Sequence, residues 1–220
     1  MPKIQHIMFD FDGTLADTSE GIIRSMHYAY DKLHLQHETD AKIQSVIGPP
    51  LQEMFSILLH TEDKEYIKEA VTYFRERYAK QGVRELCLYP QVKATLRSLQ
   101  EKGFKLYIVT SKPEKFVHEI CEEQKIKEYF TAITGVSTET QSLSKAERMR
   151  ELMETYGITK ENGIMVGDRP EDAGASNYNS VICIGVTYGF GKREELKDAG
   201  CVKQLDEFSD LLYEIKSYEY

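Results

Sequence analysis

The chain lacks the features that mark several large classes of protein. Its four cysteines are far apart and form no Cys-x-x-Cys pair, so reduced thiols are expected and a structural zinc site is not. It contains no apolar run of membrane-spanning length, and its N-terminus lacks the basic start and long apolar stretch of a signal peptide. Basic residues number 28 against 36 acidic ones, which gives a net charge of −8. We therefore expect a cytoplasmic protein that binds neither nucleic acid nor a membrane.

The residues that are present describe a globular chain with an insertion. Of its 220 residues, 41% are hydrophobic and 29% are charged. This length exceeds one minimal domain and is short for two full ones, so one core interrupted by an insertion is predicted. Because the chain is acidic, an anionic substrate group would need a local positive site.

The most informative segment follows an apolar stretch near the N-terminus. Ile7, Met8, Phe9 and Phe11 predict a buried strand that ends in the run Asp10-Phe11-Asp12-Gly13-Thr14-Leu15. Residues i and i+2 of a strand share a face, so Asp10 and Asp12 are predicted to point the same way. Two carboxylates that close repel each other unless a cation, a proton or a phosphate-binding role accompanies them. A nucleophilic carboxylate beside a proton-shuttling one uses this spacing, and a solvated turn is the alternative.

The pattern of apolar residues divides the chain into two kinds of segment. From about residue 19 to 81 they recur at helical spacing, which predicts a block of about four helices after a single strand. Beyond Tyr89-Pro90, strands alternate with helices, which predicts a parallel sheet covered on both faces. The last residues are predicted to be helical. The predicted fold is α/β: a doubly wound, Rossmann-like parallel-sheet core over 1–16 and 85–220, with an all-α insertion over 17–84.

Polar residues follow the later predicted strands at the edge where sites form in open parallel sheets. Thr110, Ser111 and Lys112 follow the strand 105–109 and precede a helix predicted to start at Pro113, which is a natural phosphate contact. A helix cap explains Ser111 equally well. Asp168 and Asp172 follow the strand 163–166, either as acidic residues of a helix start or as ligands. Four carboxylates meeting at one edge favour a hard divalent cation such as Mg²⁺.

Lys145 opens a helix predicted over 145–156, after the Ser/Thr-rich stretch 137–144. A lysine at a helix start is disfavoured by the macrodipole, which makes its placement informative. A site with four carboxylates and a phosphate group needs a fixed cation, and Lys145 is the best-placed residue for it. A solvated surface lysine is the alternative.

Read in order, these segments resemble the four motifs of the haloacid dehalogenase (HAD) superfamily, in its phosphatase-type branch with a helical cap inserted after the first motif. The motifs that carry the resemblance are Asp10-Phe11-Asp12-Gly13-Thr14, Thr110, Lys145, and Gly167-Asp168 with Asp172. The resemblance covers essentially the whole chain. It implies a HAD-like core and a four-helix cap that closes over the site and selects the leaving group.

The resemblance also implies a role for each motif residue. Asp10 would be the nucleophile that forms an aspartyl-phosphate, and Asp12 would protonate the leaving oxygen and then activate water. The transferring phosphoryl group would be held by Thr110, Ser111 and Lys145. Mg²⁺ would be held by the Asp10 carboxylate, the Asp12 backbone carbonyl, Asp168 and Asp172. True dehalogenases lack an acid at the position of Asp12, which argues against carbon–halogen chemistry.

The resemblance is strongest to phosphoglycolate phosphatases and related nucleotidases, so the expected partner is a small phosphorylated metabolite and the expected state a monomer or homodimer. A phosphomutase of the beta-phosphoglucomutase kind shares every core residue and stays open. A non-enzymatic phospho-acceptor that resembles a response-regulator receiver is a third reading. Four features keep an open role: Arg24, Lys42, Arg169 and the turn Gly48-Pro49-Pro50. An exposed position is favoured for the two arginines and the lysine.

Overall fold

The computed structural model of the chain describes residues 4–137, 140 and 142–218. The chain divides into two compact units, one formed by Met1–Ala16 with Leu88–Tyr220 and the other by Asp17–Cys87. The sequence places the corresponding boundaries after residues 16 and 84. Part of the Ser/Thr-rich stretch lies outside the described residues, namely Thr138, Glu139 and Gln141.

The first unit is built on a six-stranded sheet in the order β5-β4-β1-β6-β7-β8, in which every pair of neighbours is parallel. From the central strand β1 the chain adds two strands on one side and three on the other, which is the doubly wound α/β topology that the sequence predicts. The strands are β1 (His6–Phe9), β4 (Lys105–Pro113), β5 (Phe130–Val136), β6 (Gly163–Gly167), β7 (Ile182–Val186) and β8 (Lys203–Leu205).

Helices alternate with these strands, as the alternating pattern predicts. The α-helices of this unit are α5 (Val92–Glu101), α6 (Glu114–Glu123), α7 (Lys145–Tyr156), α8 (Pro170–Tyr178), α9 (Arg193–Asp198) and α10 (Leu211–Glu214). Three short 3-10 helices complete it, Lys127–Tyr129, Phe208–Asp210 and Ile215–Tyr218. Within the part of the chain that the structure describes, no helix has the length and apolar character to cross a membrane.

The central strand is buried on both faces. Ile7, Met8 and Phe9 have no solvent exposure, because β1 is flanked by β4 and β6 and the sheet is covered by helices. One polar pair lies at its start, where His6 Nδ1 is 3.0 Å from the Tyr107 hydroxyl. A continuous apolar strand of this kind carries the residues that follow it to the middle of the sheet edge.

Three predicted elements differ from the structure. Strand β1 ends at Phe9, not at Phe11, because the chain turns back on itself and the amides of Leu15 and Ala16 donate to the Phe11 carbonyl at 3.0 and 3.2 Å. Strand β4 runs on to Pro113 through an irregular register beside β5. The edge strand β8 replaces part of the predicted helical end, since three residues are too few to show a period.

The second unit consists of four α-helices, α1 (Ser19–Lys32), α2 (Asp40–Ser45), α3 (Leu51–Leu59) and α4 (Lys64–Lys80), and a 3-10 helix, Gly82–Arg84. Their apolar faces form its core, with Met26 and Phe55 fully buried. The Arg77 guanidinium donates two hydrogen bonds to the Glu85 carboxylate at 2.7 and 2.9 Å, a bidentate pair. Where the chain passes between the units, β2 (Ala16–Asp17) and β3 (Cys87–Leu88) form a two-stranded sheet.

A glycine fixes how closely α1 approaches the 3-10 helix of the second unit. A Cβ at Gly21 would lie 2.1 Å from the Gly82 carbonyl oxygen. We expect Gly21→Ala to lower the free energy of unfolding by about 1–3 kcal/mol, because backbone on both sides must move. The measurement is urea unfolding followed by circular dichroism.

The matched control is Gly174→Ala in α8, where an added Cβ meets nothing within 4 Å. There the change should be neutral or stabilising by up to about 1 kcal/mol, because alanine is the better helix former. Equal effects of the two substitutions would contradict the close approach at Gly21.

Candidate active site

Three buried carboxylates meet at the carboxyl edge of the sheet. Asp10 follows β1, Asp168 follows β6, and Asp172 lies in the first turn of α8. Each contributes one carboxylate oxygen to a group within 4.8 Å of one another. Since β1 and β6 are adjacent and parallel in register, the residues after their last pair must lie side by side.

Lys145 bridges two of these carboxylates. Its Nζ lies 2.9 Å from Asp10 Oδ1 and 2.5 Å from Asp172 Oδ1, and its side chain is only 9% exposed. Burial acts to lower the pKa of Lys145, but the two carboxylates outweigh it and raise the pKa above its usual value. The lysine is a fixed positive charge.

A capping box sets the position of Lys145 at the first residue of α7. The Ser144 hydroxyl accepts from the Glu147 amide at 3.2 Å, and the Glu147 carboxylate accepts from the Ser144 amide at 2.7 Å. This reciprocal pair stabilises the helix start, so the unfavourable interaction of a lysine with the macrodipole is tolerated.

Asp168 has no solvent exposure and is held from two sides. The Thr14 hydroxyl donates to its Oδ1 at 2.9 Å, and the Phe190 amide donates to its Oδ2 at 2.8 Å. Gly13 makes room for this carboxylate: it has a φ of +84°, and a Cβ there would lie 2.2 Å from Asp168 Oδ2. Burial raises the pKa of Asp168 well above its usual value, and the charges of Asp172 and Asp10 add to the shift.

Asp172 is equally buried. Its Oδ2 accepts a hydrogen bond from the Arg169 amide at 3.0 Å, at the start of α8. Gly167 leaves the space it needs, since a Cβ there would lie 2.2 Å from the carboxylate. Burial raises the pKa of Asp172, and Lys145 opposes this shift. For both Asp168 and Asp172, burial is thus the main cause of the raised pKa.

Asp12 lies apart from this group. Its carboxylate accepts from Lys112 Nζ at 2.9 and 3.2 Å, and the lysine side chain is 4% exposed. Asp10 and Asp12 therefore contact different lysines, and the side chain of Asp12 is not among the described carboxylates that cluster. The strand-face argument does not apply, because β1 ends before either residue.

Thr110 and Ser111 lie within β4, beside β1. Thr110 is buried, and its hydroxyl accepts from the Lys112 amide at 3.2 Å. Ser111 is partly buried. Helix α6 begins at Glu114, one residue later than predicted, and its N-cap is Pro113, so the alternative that Ser111 caps this helix is wrong. The phosphate-binding role of Thr110 and Ser111 stays a prediction.

Sequence reasoning assigned no role to four contributors to this edge. Lys112 and Thr14 stand inside segments that it singled out, and Arg148 lies three residues after Lys145, on the same face of α7. The Phe190 amide left no signal, since it is a backbone group of a glycine-rich loop.

The surface position favoured for Arg169 is wrong. Its side chain is 12% exposed, and it donates to the Phe190 carbonyl at 3.3 Å. Arg169 therefore ties the loop that contacts Asp168 to the start of α8. In the second unit, Arg24 is 54% exposed and pairs with Glu20 at 2.6 Å and Glu85 at 2.9 Å.

Carboxylates and a lysine gathered at the switch point of a doubly wound sheet define an enzyme site of the α/β class. The profile of the haloacid dehalogenase-like hydrolases matches residues 7–186. The chain belongs to this hydrolase family and is an enzyme of the phosphatase type.

Individual relatives agree with this assignment. The chain is 36% identical over 195 residues to a 5'-nucleotidase of Pseudomonas aeruginosa, covering 89% of this chain and 88% of that protein. It is 30% identical over 213 residues to a phosphoglycolate phosphatase of Yersinia pestis, covering 95% and 92%. A crystal structure described as a predicted phosphatase from Clostridium acetobutylicum superimposes with a TM-score of 0.91 at 36% identity, covering 97% of this chain and 99% of that one.

The ion pairs of Lys145 generate a stability prediction. Lys145→Met leaves two buried carboxylates without this cation, so we expect a loss of about 3–5 kcal/mol of unfolding free energy in metal-free buffer. Urea unfolding in the presence of EDTA measures it.

The control is Lys68→Met, since Lys68 is 75% exposed and lies 3.7 Å from an exposed Glu65. Here we expect a change of no more than about 0.5 kcal/mol. Should Lys145→Met be as mild as this control, the lysine would not balance the buried carboxylates.

Proposed function

We propose that the chain is a Mg²⁺-dependent phosphatase that hydrolyses a small phosphate monoester through an aspartyl-phosphate on Asp10. The observation that carries the proposal is the state of the Asp10 carboxylate. It is 6% exposed, and among the described residues the charged partner of its Oδ1 is Lys145, whose Nζ lies 2.9 Å away. A buried carboxylate beside a single ammonium keeps lone pairs that can bind a metal or attack an electrophile.

The residues at the site fit a divalent metal. Carboxylate oxygens within 4.8 Å of one another, all nearly without solvent, form a set of hard donors of the kind that Mg²⁺ binds. The ligands would be the carboxylates of Asp10, Asp168 and Asp172 with the backbone carbonyl of Asp12. When bound, the metal supplies Lewis-acid stabilisation of the phosphoryl oxygens.

The first chemical step that we propose is attack by an Asp10 carboxylate oxygen on phosphorus. A bond forms between that oxygen and phosphorus while the bond from phosphorus to the ester oxygen breaks. The leaving oxygen takes a proton from Asp12, whose side chain lies outside the carboxylate cluster and is 18% exposed. Separate partners for the two aspartates suit separate roles as nucleophile and proton carrier.

The second step reverses the role of Asp12. Its carboxylate takes a proton from water as the water oxygen attacks phosphorus, and the bond to Asp10 breaks to release inorganic phosphate. Lys112, which contacts both oxygens of Asp12, fixes the direction of this carboxylate.

The phosphoryl group itself would be held by Thr110, Ser111 and Lys145. Thr110 lies on β4 directly beside the strand that leads to Asp10, and Lys145 already contacts Asp10. A hydroxyl and a fixed ammonium near the nucleophile offset the charge that the phosphoryl oxygens carry.

The proposed substrates are phosphoglycolate, a nucleoside monophosphate or a similar small metabolite, which the names of the relatives support. We also propose that the enzyme acts in the cytoplasm as a monomer or homodimer. All four cysteines are free, which suits a reducing compartment.

Phosphate release from phosphoglycolate, nucleoside monophosphates and other small esters tests the reaction. With Mg²⁺ we expect turnover that EDTA abolishes and that Asp10→Asn reduces by about 10⁴-fold or more, because the nucleophile is lost. The matched control is Asp198→Asn, an exposed residue at the end of α9, which should keep full activity.

The same assay separates the alternatives. A phosphomutase would retain the phosphoryl group on a sugar and release little phosphate without a bisphosphate primer. A phospho-acceptor module would accumulate phosphoenzyme with almost no turnover. Either result, or full activity of Asp10→Asn, would contradict the proposal.

Metal binding has its own readout in thermal unfolding. Mg²⁺ should raise the melting temperature of the wild type, because a ligand that binds only the folded state stabilises it. Asp168→Asn should remove most of this rise, whereas Asp198→Asn should preserve it. A rise of equal size in the Asp168 variant would place the metal elsewhere.

A further inference from the structure

Arg148 is a buried arginine that the proposed reaction leaves without a role. It lies in α7 three residues after Lys145, and it is 3% exposed. Its guanidinium donates to two backbone carbonyls, that of Leu143 at 2.5 Å and that of Thr110 at 3.3 Å. The Arg148 guanidinium thus links the segment that precedes Lys145 to Thr110, which is proposed to hold the phosphoryl group.

The charge of this arginine is not matched by a carboxylate. Among the described residues no acidic group lies within ion-pair distance of it, and its buried Nε has no hydrogen-bond partner there. Burial lowers the pKa of Arg148, and the charge of Asp10 offsets part of that shift. Burying a guanidinium without a carboxylate partner is strongly unfavourable, so a contact with two carbonyls alone does not explain why an arginine is placed here.

The balance of charge at the site suggests a role for Arg148 in binding the substrate. Two lysines contact three of the four aspartates, and their two charges together with those of a divalent metal would balance the four carboxylates. Arg148 is then a surplus positive charge beside the place where a doubly charged phosphoryl group arrives. A cation in a water-poor site acts far more strongly than one on the surface.

We propose that Arg148 is a positioning residue of the phosphoryl-binding site: it clamps the Thr110 and Leu143 carbonyls together and supplies a permanent positive charge for the substrate dianion. This inference rests on the proposed phosphatase function. It assigns two separable properties to one side chain, the forked geometry and the charge.

Two variants separate these properties. Arg148→Lys keeps the charge and loses the fork, whereas Arg148→Met loses both. The matched control is Arg150→Met, two residues further along the same helix, where the arginine is exposed and contacts Tyr178. The readouts for the full chain with Mg²⁺ are the Kd for inorganic phosphate by calorimetry, kcat and KM, and the melting temperature.

We expect Arg148→Met to weaken phosphate binding about tenfold and to lower kcat/KM about a hundredfold. Arg148→Lys should keep the phosphate Kd within about threefold of the wild type and lose kcat, because an ammonium cannot hold both carbonyls in the fork geometry. Arg150→Met should match the wild type in both quantities.

Other outcomes overturn the inference in distinct ways. If both Arg148 variants lower the melting temperature but leave the phosphate Kd unchanged below it, the residue is only structural. If Arg148→Met turns over and binds phosphate as the wild type does, the inference alone fails. If the wild type neither binds phosphate nor hydrolyses any ester, both the proposed function and the inference are wrong.

Discussion

The structure of the first unit depends on one electrostatic constraint, the concentration of negative charge at the carboxyl edge of its sheet. Carboxylate oxygens of Asp10, Asp168 and Asp172 lie within 4.8 Å of one another with almost no access to water. Burial raises the pKa values of Asp168 and Asp172, and repulsion between the neighbouring carboxylates adds to the shift. Stability and chemistry therefore both require positive charge at this edge.

Several residues near this edge supply positive charge or make room for the carboxylates. Lys145 is placed by a capping box and reaches two of the carboxylates. Two glycines, Gly13 and Gly167, leave the space that the carboxylates of Asp168 and Asp172 occupy, and any larger residue would displace them. The same contacts that make the site costly to fold also preorganise it, so little rearrangement is needed when a charged substrate arrives.

The fold was predictable from the sequence because helices and strands space their apolar residues at different periods. Alternating strands and helices identify the doubly wound sheet, and the predicted bounds of α7 agree with the structure at both ends. The three-residue strand β8 has no such trace. The end of β1 at Phe9 was also missed, since hydrophobicity continues to Phe11 while the hydrogen bonding does not.

Within the site, carboxylates were easier to predict than the groups that hold them. Asp10 and Asp168 each follow a strand, and Asp172 lies in the first turn of the helix after β6, so topology brings all three to one edge. The partners of Asp168 come from a turn hydroxyl and a loop amide, whose positions depend on tertiary packing. A backbone amide carries no residue identity, and for that reason no sequence pattern could reveal the Phe190 contact.

The division of positive charge between separate side chains has a further consequence. The chain carries a net charge of −8, so its overall field opposes the approach of an anionic substrate. Attraction must then arise within the site, from cations that are buried and therefore weakly screened by salt: Lys112, Lys145 and Arg148 are each less than a tenth exposed. Two of them are already paired with aspartates. Arg148 has no carboxylate partner among the described residues, so its positive charge is the one that can act on an anionic substrate without first leaving an aspartate.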